Sequence, residues 1–245
     1  MHVAGISHLE IALKLAIFTD YDGTITTTDT IDLMLDTYGQ KDWFALSRRL
    51  DAAGATNIER MTAEFTPFNA TREQVRTLLT EKVGIDETFV GFLQYARSRR
   101  WKVVVLSQGV RESMEAIFAK FGIESVECHA NALTAPGSPC GIAFPEKGTV
   151  RNDGCGGLCG VCKSGHISRA RSMGFKTVYI GDGITDRCPA AAADLVFAKK
   201  YLKKYLTQKG LPFVPFETFA DIERELAARF GDEDEVLPDE IRAEE

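Results

Sequence analysis

Residues 15–24 read LAIFTDYDGT, and this stretch decides the fold. Leu15–Thr19 is an unbroken apolar run, too short for a helix and without polar alternation. It therefore predicts a strand buried on both faces of a parallel sheet. The run stops at Asp20-Tyr21-Asp22-Gly23-Thr24, where two acids meet a glycine suited to a turn. Two further runs behave the same way. Val103–Leu106 (VVVL) ends in Ser107-Gln108-Gly109, and Thr177–Ile180 (TVYI) ends in Gly181-Asp182-Gly183-Ile184-Thr185-Asp186.

Working outward, VRESMEAIFAKFG follows the second run and SGHISRARSMG precedes the third, both with helical spacing and both closing on glycine, Gly122 and Gly174. Strands alternating with helices indicate β-α-β units and an α/β, doubly wound (Rossmann-like) parallel sheet. Glu124–Cys128, Leu195–Ala198 and Phe213–Pro215 are further strand candidates. Between about residues 28 and 100 the pattern changes. TIDLMLDTYG, DWFALSRRLDAA, TREQVRTLLTEKVG and ETFVGFLQYARSRR are helical with no strand between them. Such a block after the first strand predicts an α-helical cap over the site, the alternative being helices laid on one sheet face. The expected division is a core of residues 1–27 and 101–230, a cap of 28–100 and an acidic tail of 231–245. Residues 131–152, with Pro, Gly and no helical period, predict a hairpin or irregular excursion.

The formal charge of −6 is uneven. Residues 231–245, GDEDEVLPDEIRAEE, carry eight acids and one Arg, a net of −7, which leaves +1 for the remainder. A near-neutral body lacks the concentrated basic face that nucleic acid or an anionic membrane requires. No run approaches the roughly 18 apolar residues of a membrane span, and the start has no basic-then-apolar leader. Six cysteines without an export signal then read as reduced thiols or metal ligands, and a cytoplasmic location follows.

In open α/β sheets the ligand site lies beyond the carboxyl ends of the strands. Asp20, Asp22, Asp182 and Asp186 would gather there with Ser107, next to glycines that let backbone approach a ligand. Clustered carboxylates repel one another and call for a cation, and an oxygen-only donor set suits Mg²⁺. Lys163, opening the helix before the third run, adds a fixed positive charge where a helix N-terminus also favours an anion. Singly, these residues read as turns, caps or a solvated lysine; in this order and spacing they read as a phosphate site.

The order Asp-x-Asp-Gly-Thr, Ser, Lys, Gly-Asp-x-x-x-Asp resembles the haloacid dehalogenase-like (HAD) hydrolase superfamily across nearly all of the core. The resemblance implies a Mg²⁺-dependent phosphatase in which Asp20 attacks phosphorus and Asp22 serves as acid and then base. It implies metal binding by Asp20, Asp22 through its main-chain carbonyl, and Asp182, with Asp186 a ligand or an anchor. It implies phosphate contacts from Thr24, Ser107, Gln108, Gly109 and Lys163. An acid at Asp22 distinguishes phosphate hydrolases from the dehalogenase branch.

The helical insertion resembles the phosphoserine-phosphatase-like branch. Cys159-Gly160-Val161-Cys162-Lys163-Ser164, the Ile180–Phe219 region and Asp29 more closely resemble the 2-hydroxy-3-keto-5-methylthiopentenyl-1-phosphate phosphatases of methionine salvage. The implied substrate is thus a small phosphorylated metabolite, with phosphoserine the alternative; a phosphotransferase or a non-catalytic phosphometabolite sensor are the rival classes. Asp29 stands where phosphoserine phosphatases usually carry a longer Glu. Arg60 and Glu64 are candidate substrate contacts, as are Phe65 and Phe68, with a surface pair and core packing as the plainer readings. Cys155, Cys159 and Cys162 have zinc-like spacing, with Cys128, Cys140, His129 or His166 able to complete a tetrahedral structural Zn²⁺.

Overall fold

The computed structural model describes residues 14–134, 141–147 and 159–231. Its strands are β1 (Leu15–Thr19), β2 (Lys102–Val110), β3 (Glu127–Leu133), β4 (Ile142–Ala143), β5 (Lys176–Gly181), β6 (Leu195–Ala198) and β7 (Val214–Pro215). They form one sheet in the order β4-β3-β2-β1-β5-β6-β7, parallel throughout except for the antiparallel β3–β4 pair. β1 is central. Ile17 pairs with Val103 on one side and Val178 on the other, and all of β1 is buried. Alternation divides its side chains between two apolar layers. Leu15 and Ile17 join the larger core with Val105, Val178 and Phe197, while Ala16 and Phe18 join a second with Leu106, Tyr179 and Leu202. A sheet covered on both faces explains why its strands read as continuous apolar runs.

Five helices follow β1 before the chain returns as β2: α1 (Thr30–Tyr38), α2 (Trp43–Ala52), α3 (Asn57–Phe65), α4 (Arg72–Lys82) and α5 (Phe89–Ser98). Reciprocal capping boxes, Thr56 with Glu59 and Thr71 with Gln74, start α3 and α4. The entry and exit of this insert are tied together, Thr27 N–H donating to Gly84 O at 3.0 Å and Asp86 N–H to Ile25 O at 2.9 Å. The core helices are α6 (Arg111–Lys120), α7 (Lys163–Ser172), α8 (Arg187–Ala192), α9 (Lys200–Lys209) and α10 (Phe219–Phe230).

Two expectations shift. The third strand runs over Glu127–Leu133 rather than Glu124–Cys128. Gly122 and Ser125 both hold left-handed backbone, with φ of 64° and 57°, so the chain is still turning where a strand was expected. The final strand is trimmed to Val214–Pro215. The excursion after β3 contains the short return strand β4, although residues 135–140 and 148–158 lie outside the described segments, as does the tail of 232–245. No helix among the described residues is long and apolar enough to cross a membrane.

The insert is anchored to the core where α5 meets α10. The Phe219 ring lies 4.7 Å from Phe89 and 5.2 Å from Phe92. All three rings are fully buried. Phe219→Ala is expected to lower unfolding stability by about 3–5 kcal/mol, read from urea denaturation; a loss below about 1 kcal/mol would mean this contact does not hold the two together.

Candidate active site

The strand order reverses at β1, the chain running outward through β2 and β3 before returning beside β1 as β5. The crevice beyond such a switch point is where an open α/β sheet binds ligands. Asp20 continues β1, its N–H donating to Ile180 O at 2.9 Å. The chain then folds over buried Tyr21, whose carbonyl accepts from Ile25 N–H (2.9 Å) and Thr26 N–H (3.0 Å). Gly23 makes the turn with φ of 74°, and a Cβ there would sit 2.5 Å from Asp182 Oδ2. Only glycine fits.

Behind the crevice lies a buried charge network. Lys163 Nζ donates to Asp20 Oδ1 at 2.5 Å and to Asp186 Oδ1 at 2.8 Å. Asp186 is fully engaged, Oδ1 also accepting from Tyr179 Oη (2.6 Å) and Oδ2 from the N–H groups of Asp182 (2.9 Å) and Gly183 (2.8 Å). Thr24 Oγ1 donates to Asp182 Oδ1 at 3.0 Å, while Lys200 Nζ meets Asp182 Oδ2 at 3.0 Å and Gly23 O at 2.7 Å. Burial would lower the Lys163 pKa, but Asp186 and Asp20 outweigh it and hold the ammonium charged. Asp20 is pushed well up, first by burial and then by Asp186, with Lys163 opposing. Asp20, Asp182 and Asp186 each offer an oxygen within 4.8 Å of the others. The three buried acids outnumber the two lysines paired with them, Lys163 with Asp20 and Asp186 and the half-exposed Lys200 with Asp182. Negative charge is left for a divalent cation, and their all-oxygen donor set fits Mg²⁺.

Asp22 is held differently. Its Oδ1 accepts from Thr30 N–H (2.9 Å) and Thr30 Oγ1 (2.6 Å) at the start of α1, and Ser107 Oγ approaches Oδ2 at 3.4 Å. Burial and the charge of Asp29 raise its pKa to about 7, against the opposing pull of Thr30. Gly109 N–H donates to Ser107 Oγ at 2.7 Å, fixing that hydroxyl.

These groups open onto a cavity of about 320 Å³. Of the residues expected from sequence, Asp20, Asp22, Asp29, Arg60, Ser107, Gln108, Gly109 and Asp182 line it. Thr24, Glu64, Lys163 and Asp186 do not line it; they stand behind its wall and position those that do. Glu64 is wholly buried and accepts from Arg60 Nη1 at 2.9 Å. Phe65 and Phe68 are core residues, in line with the plainer reading. Asp29 also caps α1, accepting from Ile31 and Asp32 N–H at 3.0 Å each. The cavity further includes Ile31, Asp32, Met61, Ile184 and Lys200, which the sequence did not single out. Asp32 lies one helical turn beyond Asp29, and burial with the Asp29 charge raises it to about 6. Of the cysteines read as zinc ligands, Cys155 and Cys140 lie outside the described residues. Cys159 and Cys162 join no metal-capable group among those described.

The sequence profile of the haloacid dehalogenase-like hydrolases matches residues 17–191. The chain belongs to that family. Phosphatases of the family use Mg²⁺, in keeping with the acid triad. Among similar proteins is 2-hydroxy-3-keto-5-methylthiopentenyl-1-phosphate phosphatase of Brevibacillus brevis, 28% identical over 212 residues, covering 86% of this chain and 94% of that protein. Pdp3-interacting factor 1 of Schizosaccharomyces pombe is 26% identical over 226 residues, covering 89% and 96%. A phosphoserine phosphatase solved as an analogue of its phospho-aspartyl intermediate superposes with a TM-score of 0.63 at 16% identity, covering 87% of this chain and 99% of its own, so the family fold is shared.

At Gly109 an added Cβ would stand 2.7 Å from Asp22 Oδ2 and 3.0 Å from Ser107 Oγ. Gly109→Ala is expected to leave the thermal midpoint within a few degrees of wild type and to lower kcat about 10²-fold, the usual penalty for displacing a catalytic group by about 1 Å. Wild-type kcat in a folded variant would show that Asp22 and Ser107 need not be so closely placed.

Proposed function

We propose that this hydrolase cleaves a small phosphorylated metabolite through an aspartyl phosphate on Asp20, with Asp22 as general acid and then general base. The reaction class, phosphate-monoester hydrolysis, follows from membership of the family and its phosphatase relatives. The observation that carries the residue roles is the pairing of two aspartates at one cavity in unlike surroundings, Asp20 bound to Lys163 and Asp22 poised near neutrality. An Asp20 oxygen attacks phosphorus as the bond to the leaving oxygen breaks, and Asp22 gives that oxygen its proton. Asp22 then takes a proton from water as the water oxygen attacks phosphorus, releasing phosphate and restoring Asp20. Ser107 and the charge of Lys163 steady the phosphoryl oxygens. When bound, Mg²⁺ would be held by the Asp20 carboxylate, the Asp22 main-chain carbonyl and Asp182, and supplies positive charge to those oxygens, while Asp186 anchors Lys163. Residues 28–100 serve as the cap, with α1 and α3 forming the substrate side of the cavity.

For the substrate, the leading reading is 2-hydroxy-3-keto-5-methylthiopentenyl-1-phosphate. Support comes from relatives so named and from Ile31, Met61 and Ile184, apolar walls for a thioether tail. Phosphoserine is the second reading, favoured by Arg60 and the acids Asp29 and Asp32, which offer partners to a carboxylate and an ammonium. Phosphate release from the two compounds compared by kcat/KM separates them; a preference for phosphoserine would reverse that order.

Asp20→Asn is expected to abolish phosphate release while circular dichroism stays unchanged, and EDTA to stop the wild-type enzyme until Mg²⁺ is restored. Turnover by the folded variant, or in excess chelator, would remove the residue or the ion from the scheme. Because the Asp22 pKa is raised, the acid keeps its proton up to about pH 7 and loses it above. The kcat/KM for an alkyl phosphate should therefore fall as pH rises through that value. Asp22→Asn should cost about 10²–10⁴-fold on that substrate and far less on p-nitrophenyl phosphate, whose leaving group needs no proton. Equal losses on both would contradict an acid role.

A further inference from the structure

A second set of metal-ligating side chains lies outside the catalytic cavity. His129 comes from β3, Glu146 from the segment after β4 and His166 from α7. One ligand atom from each falls within 4.8 Å of the other two. His166 Nε2 stands 2.9 Å from Glu146 Oε2, His129 Nδ1 contacts Glu146 Oε1, and the two imidazole rings lie 4.1 Å apart between centroids. The other nitrogen of His129, Nε2, meets Glu127 Oε1 at 3.0 Å, and Glu127 is itself held by Lys102 at 2.8 Å. None of these residues lines the catalytic cavity.

We propose that His129, Glu146 and His166 bind a zinc ion whose fourth tetrahedral position is filled by water, with Glu127 orienting His129 from behind. Two imidazole nitrogens and one carboxylate form a zinc donor set, whereas Mg²⁺ prefers oxygen alone. Tetrahedral zinc with bonds of about 2.0–2.1 Å places its donors about 3.3 Å apart, inside the 4.8 Å within which these three atoms lie. A metal on His129 Nδ1 leaves Nε2–H to donate to Glu127, the arrangement by which metal-bound histidines are usually fixed in ring orientation and tautomer. The site joins three segments distant in sequence. One of them is α7, where His166 lies three residues after Lys163, so the ion would fix the helix that delivers the catalytic lysine. It would also stabilise the excursion between β3 and α7 without recruiting the cysteines.

The test uses the full chain, stripped with a chelator and then titrated with ZnSO₄ in the presence of excess Mg²⁺. Zinc per chain is measured by inductively coupled plasma mass spectrometry after gel filtration, alongside thermal unfolding. The wild type is expected to retain about one zinc per chain and to gain several degrees in Tm; His166→Gln and Glu146→Gln should lose both responses while matching the stripped wild type in circular dichroism and Tm. The triple variant Cys155→Ser, Cys159→Ser, Cys162→Ser and the active-site variant Asp20→Asn should each keep the zinc. No retained zinc in the wild type, retention in both folded His166 and Glu146 variants, or loss in the cysteine or Asp20 variants would overturn the assignment. The readout is metal content and stability, so it stands or falls independently of whether the catalytic reading is correct.

Discussion

The ion pairs that Lys163 makes with Asp20 and Asp186, closed off from water at the carboxyl edge of the sheet, organise most of what surrounds them. Removing one partner from such a buried set typically costs about 3–5 kcal/mol, because the charge left behind has neither water nor a counter-ion. The fold therefore satisfies each group in detail. Tyr179 and two backbone N–H groups fill the remaining positions on Asp186, while Thr24 and Lys200 hold Asp182. Only the parallel arrangement of β1 and β5 brings these strand ends together, and only glycine at position 23 leaves room for Asp182 beside the turn.

The two aspartates that follow β1 are held by different partners. The strand ends at Thr19, and the turn over Tyr21 brings Asp20 and Asp22 to the same cavity by different routes. Asp20 reaches inward to a lysine; Asp22 reaches across to the first residue of α1, Thr30. The insert thus contributes to the surroundings of a core residue, Asp29 adding to the effect of burial on Asp22 and Thr30 opposing it. Any movement that separated α1 from the β1 loop would break the hydrogen bonds from Thr30 to Asp22.

The core strands are legible in the sequence because a sheet buried on both faces leaves an unmistakable trace, the runs LAIFT, VVVL and TVYI, and because each run ends in the polar residues that meet beyond it. The third strand escapes correct placement because half-exposed residues such as Glu127 and His129 carry no such trace, and Ser125 adopts a left-handed conformation that its residue type does not announce. Lys200 is hidden in a run of lysines that reads as a solvated helix face, yet its own positive φ of 46° at the start of α9 places it over Asp182. Asp32 is hidden behind Asp29, whose role as helix cap and cavity wall is shared. Glu64, open from sequence to a substrate contact or a surface pair with Arg60, is paired with Arg60 but wholly buried, a distinction of depth that helical spacing alone does not encode.

The most direct test of the phospho-aspartate mechanism is to quench the Mg²⁺-loaded enzyme in acid during turnover and map the modified peptide by mass spectrometry. A hydroxylamine-labile phosphoryl group on Asp20 is the predicted result. Steady release of phosphate with no adduct on that residue, or with one on a different side chain, would contradict it.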